Sequence, residues 1–290
     1  MSNPRRELGE FLRSARARRD PDQSGLFPDG RVRRVAGLRR EEVALLAGVS
    51  TDYYTRLEQG RDITPSPQVL NALVRALDLD EAGQAYLRTL ADSAPASHSR
   101  PVVQRVRPGV HRLLDTFRTQ PALILGRRTD VLASNRLARA LFTDFEAMPA
   151  KDRNYARWML LDAQARRVFA DWEDQARNAV EALRLDAAGN AADAGLQRLV
   201  GELTLESPEF RHWWSAHRVH QRTHGTKHLN HPVVGELSVE FETFTLPGDP
   251  SQVLYLYTTE PGSDSDERLS LLASWTRNVA DMDDKRDVDA

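Results

Sequence analysis

The side chains best suited to metal chemistry are histidines in the second half of the chain. Six of the eight fall within twenty residues: His212, His217, His220, His224, His228 and His231. On a helix, the spacing of His217, His220 and His224 would put three imidazoles on one face, an arrangement that can hold Zn²⁺ or Ni²⁺. Gly225 and Thr226 would end such a helix early. We therefore expect a polar loop that enters a strand and no metal site, with a metal-dependent regulator as an alternative.

Other reactive patterns point away from catalysis. The acidic run 171–174 suggests acid–base chemistry, but the helical periodicity around it indicates surface charge on a helix. The sequence has no glycine-rich phosphate loop, no Gly-x-Ser-x-Gly elbow and no His-Glu-x-x-His. It also has no cysteine, which excludes disulfides, iron–sulfur clusters and catalytic thiols. We predict no catalytic residues and no enzyme activity.

Composition indicates an ordinary globular protein. The chain has 290 residues, 40% of them hydrophobic and 28% charged, enough for two domains. No run approaches 18 apolar residues, and the N-terminus lacks the apolar core of a secretory signal. These features predict a cytoplasmic protein with no membrane partner.

Charge is distributed unevenly along the chain. Residues 1–40 contain eleven arginines against five acidic residues, a net charge of +6, whereas residues 260–290 carry −5. A basic end on a nearly neutral chain suggests contact with a polyanion such as DNA. The alternative is a solvated arginine-rich helix, because arginine is abundant throughout this sequence.

The first ninety residues have the periodicity of an all-helical bundle. Leu8, Phe11, Leu12 and Ala15 mark one face of a first helix, and 70–77 contains another such stripe. Between these helices, residues 39–47 read as one short helix, Gly48-Val49 is a break, and a second short helix follows that Gly60 ends. Gly48 can take a positive φ at this turn, and Ser50 can cap the second helix. This is the spacing of a helix-turn-helix, whose second helix lies in the major groove of DNA.

Residues 8–80 resemble the Xre or phage-repressor type of helix-turn-helix domain. The resemblance rests on the helix-turn-helix spacing, on the ending Leu57-Glu-Gln-Gly-Arg61 and on Pro65-Ser-Pro before a helix. It implies that exposed residues at the start of the second motif helix read bases, with Arg56 the best candidate for a guanine contact, and that basic residues nearby contact phosphates. The DNA-binding residues predicted in this way are Arg33, Arg34, Arg40, Glu41, Thr51, Asp52, Tyr53, Thr55, Arg56 and Arg61.

The second domain begins near residue 102, after the proline-bearing linker 92–101. Short strand candidates at 122–125 and 130–133 form a hairpin, and a largely helical stretch runs from about 135 to 216. Residues 237–243 alternate like a half-buried strand, and 253–257 suit a central strand. Residues 268–279 close the domain as a helix.

Nearly the whole chain resembles the MmyB-like transcription regulators. The motifs that carry the resemblance are 37–48, 53–61, 125–133, 171–173, 207–211, 231–235 and 246–250. The resemblance implies a C-terminal PAS-like domain with a mixed sheet and a helical insertion. It also implies a pocket for a small apolar or fatty-acid-like ligand and no enzyme activity.

Within that domain, tryptophans and polar anchors are the candidates for ligand contact. A fatty-acid-like molecule requires apolar walls and one or two polar groups for its carboxylate. The candidate ligand-binding residues are Asn154, Tyr155, Arg157, Trp158, Trp214, His217, Arg218 and His231. The alternative for each is a structural role, such as helix capping or pairing with an acidic residue.

The sequence therefore predicts a two-domain fold of the α plus α/β type. An all-α helix-turn-helix domain (1–91) and a linker (92–101) precede an α+β PAS-like domain (102–280) and an acidic tail (281–290). The predicted function is that of a homodimeric regulator that binds double-stranded operator or promoter DNA and senses a small apolar ligand, with no cofactor beyond a bound lipid-like molecule. The alternative is a DNA-binding protein whose second domain serves only dimerisation or binds a protein partner.

Overall fold

The computed structural model describes residues 4–25, 37–92, 104–190, 192–221 and 223–288, with side chains as far as Thr276. Within these residues the helices are α1 (Pro4–Arg18), α2 (Arg40–Ala47), α3 (Thr51–Glu58), α4 (Pro67–Leu77), α5 (Glu81–Asp92), α6 (Pro108–Thr116), α7 (Arg136–Leu141), α8 (Tyr155–Leu161), α9 (Ala163–Val168), α10 (Trp172–Gly189), α11 (Ala194–Glu206), α12 (Pro208–Ser215) and α13 (Asp264–Val288). The strands are β1 (Ala122–Leu125), β2 (Val131–Ser134), β3 (His224–His231), β4 (Gly235–Thr245) and β5 (Val253–Thr258).

The chain divides into two compact units. Unit 1 comprises residues 1–101, 181–202 and 208–221, and unit 2 comprises 102–180, 203–207 and 222–290. Unit 1 therefore extends beyond the predicted N-terminal domain by two helical segments, which we call the inserted helices (181–202 and 208–221). The domain bounds 1–91 and 102–280 stay a prediction.

Unit 1 contains the predicted all-helical bundle, which consists of α1 to α5. Its apolar faces meet in one core, in which Phe11, Leu12, Tyr54 and Leu73 are fully buried. The inserted helices share this core, because Ala188 is buried in it. The all-α prediction for the N-terminal region is confirmed.

Unit 2 is built on a five-stranded sheet in the order β2-β1-β5-β4-β3. All four neighbouring pairs are antiparallel. The predicted α+β fold is confirmed, but the mixed sheet is wrong. The physical reason is the connectivity: short connections join β1 to β2, β3 to β4 and β4 to β5, and each reverses the direction of the chain. Strand β1 also pairs antiparallel with β5, which is not consecutive with it in sequence.

Strand β3 replaces the predicted polar loop. Lys227, Leu229 and His231 are buried, whereas His228 and Asn230 between them are exposed. This alternation is that of a half-buried strand. Sequence patterning missed it because two of the three inward positions carry a lysine and a histidine, which read as polar.

Helix α13 follows the last strand and packs against β4 and α7. It continues to Val288, so the predicted acidic tail (281–290) is helical over most of its length. In the part of the chain that the structure describes, no helix has the length and apolar character needed to span a bilayer.

Candidate nucleic-acid interface and ligand site

The helix-turn-helix has the predicted local geometry. Gly48 ends α2 with φ 65°, and its N–H donates to the carbonyl oxygens of Ala44 and Leu45. Ser50 then caps α3, because its side-chain oxygen accepts from the N–H of Tyr53 at 3.1 Å. A left-handed turn followed at once by a capped helix fixes the direction in which α3 leaves the turn.

Helix α3 divides its residues between core and surface as predicted. Tyr54 and Leu57 are buried in the core of unit 1. Thr51, Asp52 and Arg56 are exposed. Tyr53 and Thr55 are partly exposed, so all five predicted base-reading residues remain accessible to a nucleic acid.

A buried carboxylate, that of Glu58, lies at the carboxyl end of α3. The side chain of Glu58 is fully buried and accepts from Arg16 at 2.8 and 3.1 Å and from Arg40 at 2.8 and 3.0 Å. Arg13 lies 3.6 Å away. Burial alone would raise the pKa of Glu58, but the hydrogen bonds and charges of Arg16 and Arg40 outweigh it and lower this pKa.

The remaining predicted DNA contacts have different surroundings. Arg40 pairs with Glu58, and its side chain keeps 42% exposure. Glu41 and Arg61 are exposed. Arg33 and Arg34 lie outside the described residues.

The predicted ligand residues divide between the two units. Asn154, Tyr155, Arg157, Trp158 and His231 are in unit 2, whereas Trp214, His217 and Arg218 are in unit 1. Their role in ligand binding stays a prediction.

In unit 2, Asn154 has a full set of structural hydrogen bonds. Its carbonyl oxygen accepts from the backbone N–H of Arg157, which caps α8, and from the hydroxyl of Thr129. Its amide nitrogen donates to the carbonyl of Arg128 and the carboxylate of Asp130. Asn154 therefore holds the start of α8 to the β1–β2 turn.

Trp158 lies at the centre of an aromatic cluster. Its ring contacts Phe145, Tyr155 and Phe169 at centroid distances of 5.5, 5.8 and 5.9 Å. The indole N–H is buried and has no hydrogen-bond partner among the described residues. Trp158 and Arg157 also line a cavity of about 330 Å³ together with Met148, Asp152, Leu161, Asp162, Ala163 and Glu206.

Lys227, which was not among the predicted residues, lies beside this cluster. It is 1% exposed, and its ammonium nitrogen donates to Gln175 at 2.9 Å and to the hydroxyl of Tyr155 at 3.4 Å. The rings of Tyr155, Phe169 and Phe241 surround it with centroids 5.1–5.8 Å away. A signal did exist, because Lys227 is one of only three lysines in a chain with 37 arginines.

A second cavity of unit 2 has a basic rim. It measures about 540 Å³ and lies between α6, α7 and α13. Arg118, Arg136 and Arg139 line it together with apolar groups that include Leu114, Phe117 and Leu137. None of these residues was predicted, since they are far apart in the sequence.

In unit 1, the predicted ligand residues Trp214 and His217 belong to a network of polar contacts that includes Arg184 and residues of helix α1. The carbonyl of Trp214 accepts from Arg184, and His217 lies 3.1 Å from Arg184 and 3.4 Å from Glu10. Arg218 is exposed. The pKa of Arg18 is lowered, first because Arg18 is itself buried and second because Arg218 carries a like charge nearby.

The clustered histidines are spread over several elements. His231 is buried; its Nε2 lies 2.9 Å from the carbonyl oxygen of Ala140, and its Nδ1 accepts from the N–H groups of Val233 and Val234. His228 faces outward and pairs with Ser238. Over the described residues, no three histidines or carboxylates are grouped in a way suited to a metal ion.

Comparison with known families assigns both parts of the chain. The model of the MmyB-like transcription regulator ligand binding domain matches residues 106–272, more than half of the chain. A helix-turn-helix domain model matches residues 7–87. A search of curated proteins finds no match. The chain therefore belongs to the MmyB-like transcription regulators, as its motifs predicted, and is a DNA-binding transcription regulator.

Proposed function

We propose that this regulator recognises a specific operator through α3 and senses a small ligand, with an apolar body and a carboxylate, in its MmyB-like region. DNA recognition is supported by the exposed face of α3. Ligand sensing is supported mainly by the buried indole N–H of Trp158 beside a cavity. DNA as a partner also supports a cytoplasmic location.

Arg56 is the residue that we expect to read a base. A guanidinium that bonds to both acceptors of a guanine discriminates against other bases by about 1–3 kcal/mol. We expect Arg56→Ala to lose preference at one operator position in a selection from random duplexes. Arg75→Ala is the control, because Arg75 is exposed on α4 of the same unit. Equal base preferences in both variants would contradict this role.

The ligand site is proposed around Trp158 and Lys227. A buried ammonium attracts a carboxylate strongly in the low-dielectric interior, and the aromatic rings would contact an alkyl chain. Ligand binding would change operator affinity if the ligand prefers one arrangement of the protein.

Titration of the full chain with laurate tests the sensor proposal. Trp158→Phe keeps an aromatic ring, although a smaller one, and removes the indole N–H, so we expect about tenfold weaker laurate binding. Trp275→Phe is the control, because Trp275 is 49% exposed on α13. Native mass spectrometry without added ligand shows whether an apolar carboxylate is already bound. No bound molecule and no laurate binding would favour the alternative.

That alternative is a dimerisation role for unit 2. Leu271 and Trp275 stand four residues apart on α13 and are 61% and 49% exposed. An apolar pair on one helix face suits contact with a second copy, and two copies would match two operator half-sites. Sedimentation of Trp275→Glu tests it: a monomer where the wild type is a dimer supports the homodimer.

A further inference from the structure

Among the described residues of unit 1, Arg184 on α10 is the most buried cation. It is 1% exposed, and its Nη1 lies 3.0 Å from the Glu7 carboxylate on α1 and 3.1 Å from Nδ1 of His217. Its guanidinium also covers the ring of Trp214 at 3.9 Å and donates to the Trp214 carbonyl. The Arg184 side chain thus connects α10 to α12, to the turn after α12 that contains His217, and to α1.

Further contacts continue along the same side of α1. The hydroxyl of Ser14 donates to the carbonyl of Ala216 at 2.5 Å, and Arg18 donates to the same carbonyl at 3.3 Å. Glu7, Ser14 and Arg18 are seven and four residues apart, so they share one helix face. Leu185 and Val219 add apolar contacts with the bundle core. The inserted helices therefore hold α1 over its whole length.

Another face of α1 packs against the carboxyl end of α3, which is the recognition helix of the helix-turn-helix. Gly9 approaches α3 so closely that a Cβ there would lie 2.4 Å from the carbonyl oxygen of Glu58. Arg16 forms two hydrogen bonds with the buried Glu58 carboxylate. A displacement of α1 would therefore move the carboxyl end of α3.

We propose that Arg184 is a positioning residue for DNA recognition: it orders α1, and through Gly9, Arg16 and Glu58 this sets the orientation of α3. Residues 181–221 lie within the stretch that matches the MmyB-like ligand-binding family. Part of that stretch thus serves the DNA-binding unit directly. The inference concerns DNA binding alone and holds whether or not unit 2 binds a ligand.

The test compares full-length Arg184→Gln, Glu7→Gln and the double variant with the control Arg177→Gln. Arg177 is also on α10, and it forms partly exposed ion pairs with Glu173 and Asp174. Affinity is measured for a duplex selected with the wild type and for an unrelated duplex. We expect Arg184→Gln to weaken operator binding about tenfold or more and to leave unrelated-duplex binding and its salt dependence unchanged, because phosphate contacts do not require a single orientation of α3.

Three further readouts separate positioning from general destabilisation. Arg184→Lys keeps the charge beside Glu7 and should recover part of the operator affinity. The double variant should lose no more than Arg184→Gln alone, since both changes break one contact. Hydrogen exchange of the α3 amides should rise in Arg184→Gln well below its melting temperature. Unchanged operator affinity, an equal loss for both duplexes, or the same loss in Arg177→Gln would overturn the proposal. Failure of the wild type to select any operator would contradict sequence-specific DNA recognition itself, and so is distinguishable.

Discussion

Glu58 shows how one buried charge can hold a recognition helix. Sequence patterning identified Leu57-Glu-Gln-Gly-Arg61 as a motif but gave Glu58 no role, because the burial of a carboxylate depends on arginines from elsewhere in the chain. Arg16 and Arg40 come from α1 and α2, 42 and 18 residues away in sequence. Arg40 was predicted to contact DNA from the resemblance to Xre-type domains, and its pairing with Glu58 became visible only in the fold.

Replacing Glu58 with glutamine should destabilise unit 1 by about 3 kcal/mol, because the arginines that surround it would lose their counter-charge in a buried site. Since the folded-state pKa of Glu58 is lowered, its contribution is complete above the unfolded pKa near 4.5 and disappears as the pH falls through the folded value. Denaturant unfolding as a function of pH measures this. Glu41→Gln, at an exposed position of α2, should behave like the wild type.

The titration of His217 should make the stability of the protein depend on pH in a second way. Burial, followed by the charge of Arg184, lowers its pKa to about 4, although Glu10 and Glu7 oppose this and Arg18 adds to it. The folded state therefore keeps His217 neutral while the unfolded state takes up a proton near pH 6.5. Stability should be complete above pH 6.5 and should decrease as the pH falls toward 4. His217→Gln should remove this part of the pH profile. If His217→Gln and the wild type had the same pH profile of stability, the lowered pKa of His217 would be contradicted.

Among the elements, the bundle helices and four of the five strands were predicted from the sequence. The bundle helices carry complete apolar stripes, such as Leu70 to Leu77 of α4, so their periodicity specifies them locally. The hairpin β1–β2 was predicted by its glycine-containing turn. Strand β3 was not, because the burial of Lys227 and His231 depends on partners in other elements, including Gln175 and Ala140.

Two glycine substitutions test the close approach of α1 and α3. Gly9→Ala places a methyl group against the Glu58 carbonyl and should destabilise unit 1 by about 1–3 kcal/mol. Gly201→Ala on α11 meets nothing within 4 Å and should stabilise by about 0.5–1 kcal/mol, the usual preference of a helix for alanine. Chemical denaturation measures both. Similar effects of the two changes would contradict the packing described for Gly9.

At the scale of the whole molecule, the family and the α plus α+β fold were predicted from short motifs, whereas the composition of the units was not. The polar linker at 92–101 suggested a simple division there. The structure instead includes the inserted helices in unit 1, because Arg184, Leu185 and Ala188 find their partners on the bundle. Glu7, the partner of Arg184, lies 177 residues away in sequence, beyond the reach of local periodicity.

This organisation predicts that residues 1–92 alone form a weaker bundle than the full chain. The fragment lacks Ala188 in its core and the Arg184 contact to Glu7. We expect the amides of α1 to exchange with solvent about tenfold faster in the fragment, because α1 loses its contacts with the inserted helices. Hydrogen exchange followed by mass spectrometry compares the two. Equal protection of α1 would contradict the role of the inserted helices.

The most direct test of sequence-specific regulation is the ratio between binding to a selected duplex and binding to unrelated DNA, measured with the full chain at 0.15 M salt. Specific regulators bind their sites about 10³-fold or more tightly than other sequences. The exposed face of α3 predicts a ratio in that range, and Arg56→Ala should reduce it. A ratio near one would show that the helix-turn-helix does not read sequence and would contradict the function proposed for this regulator.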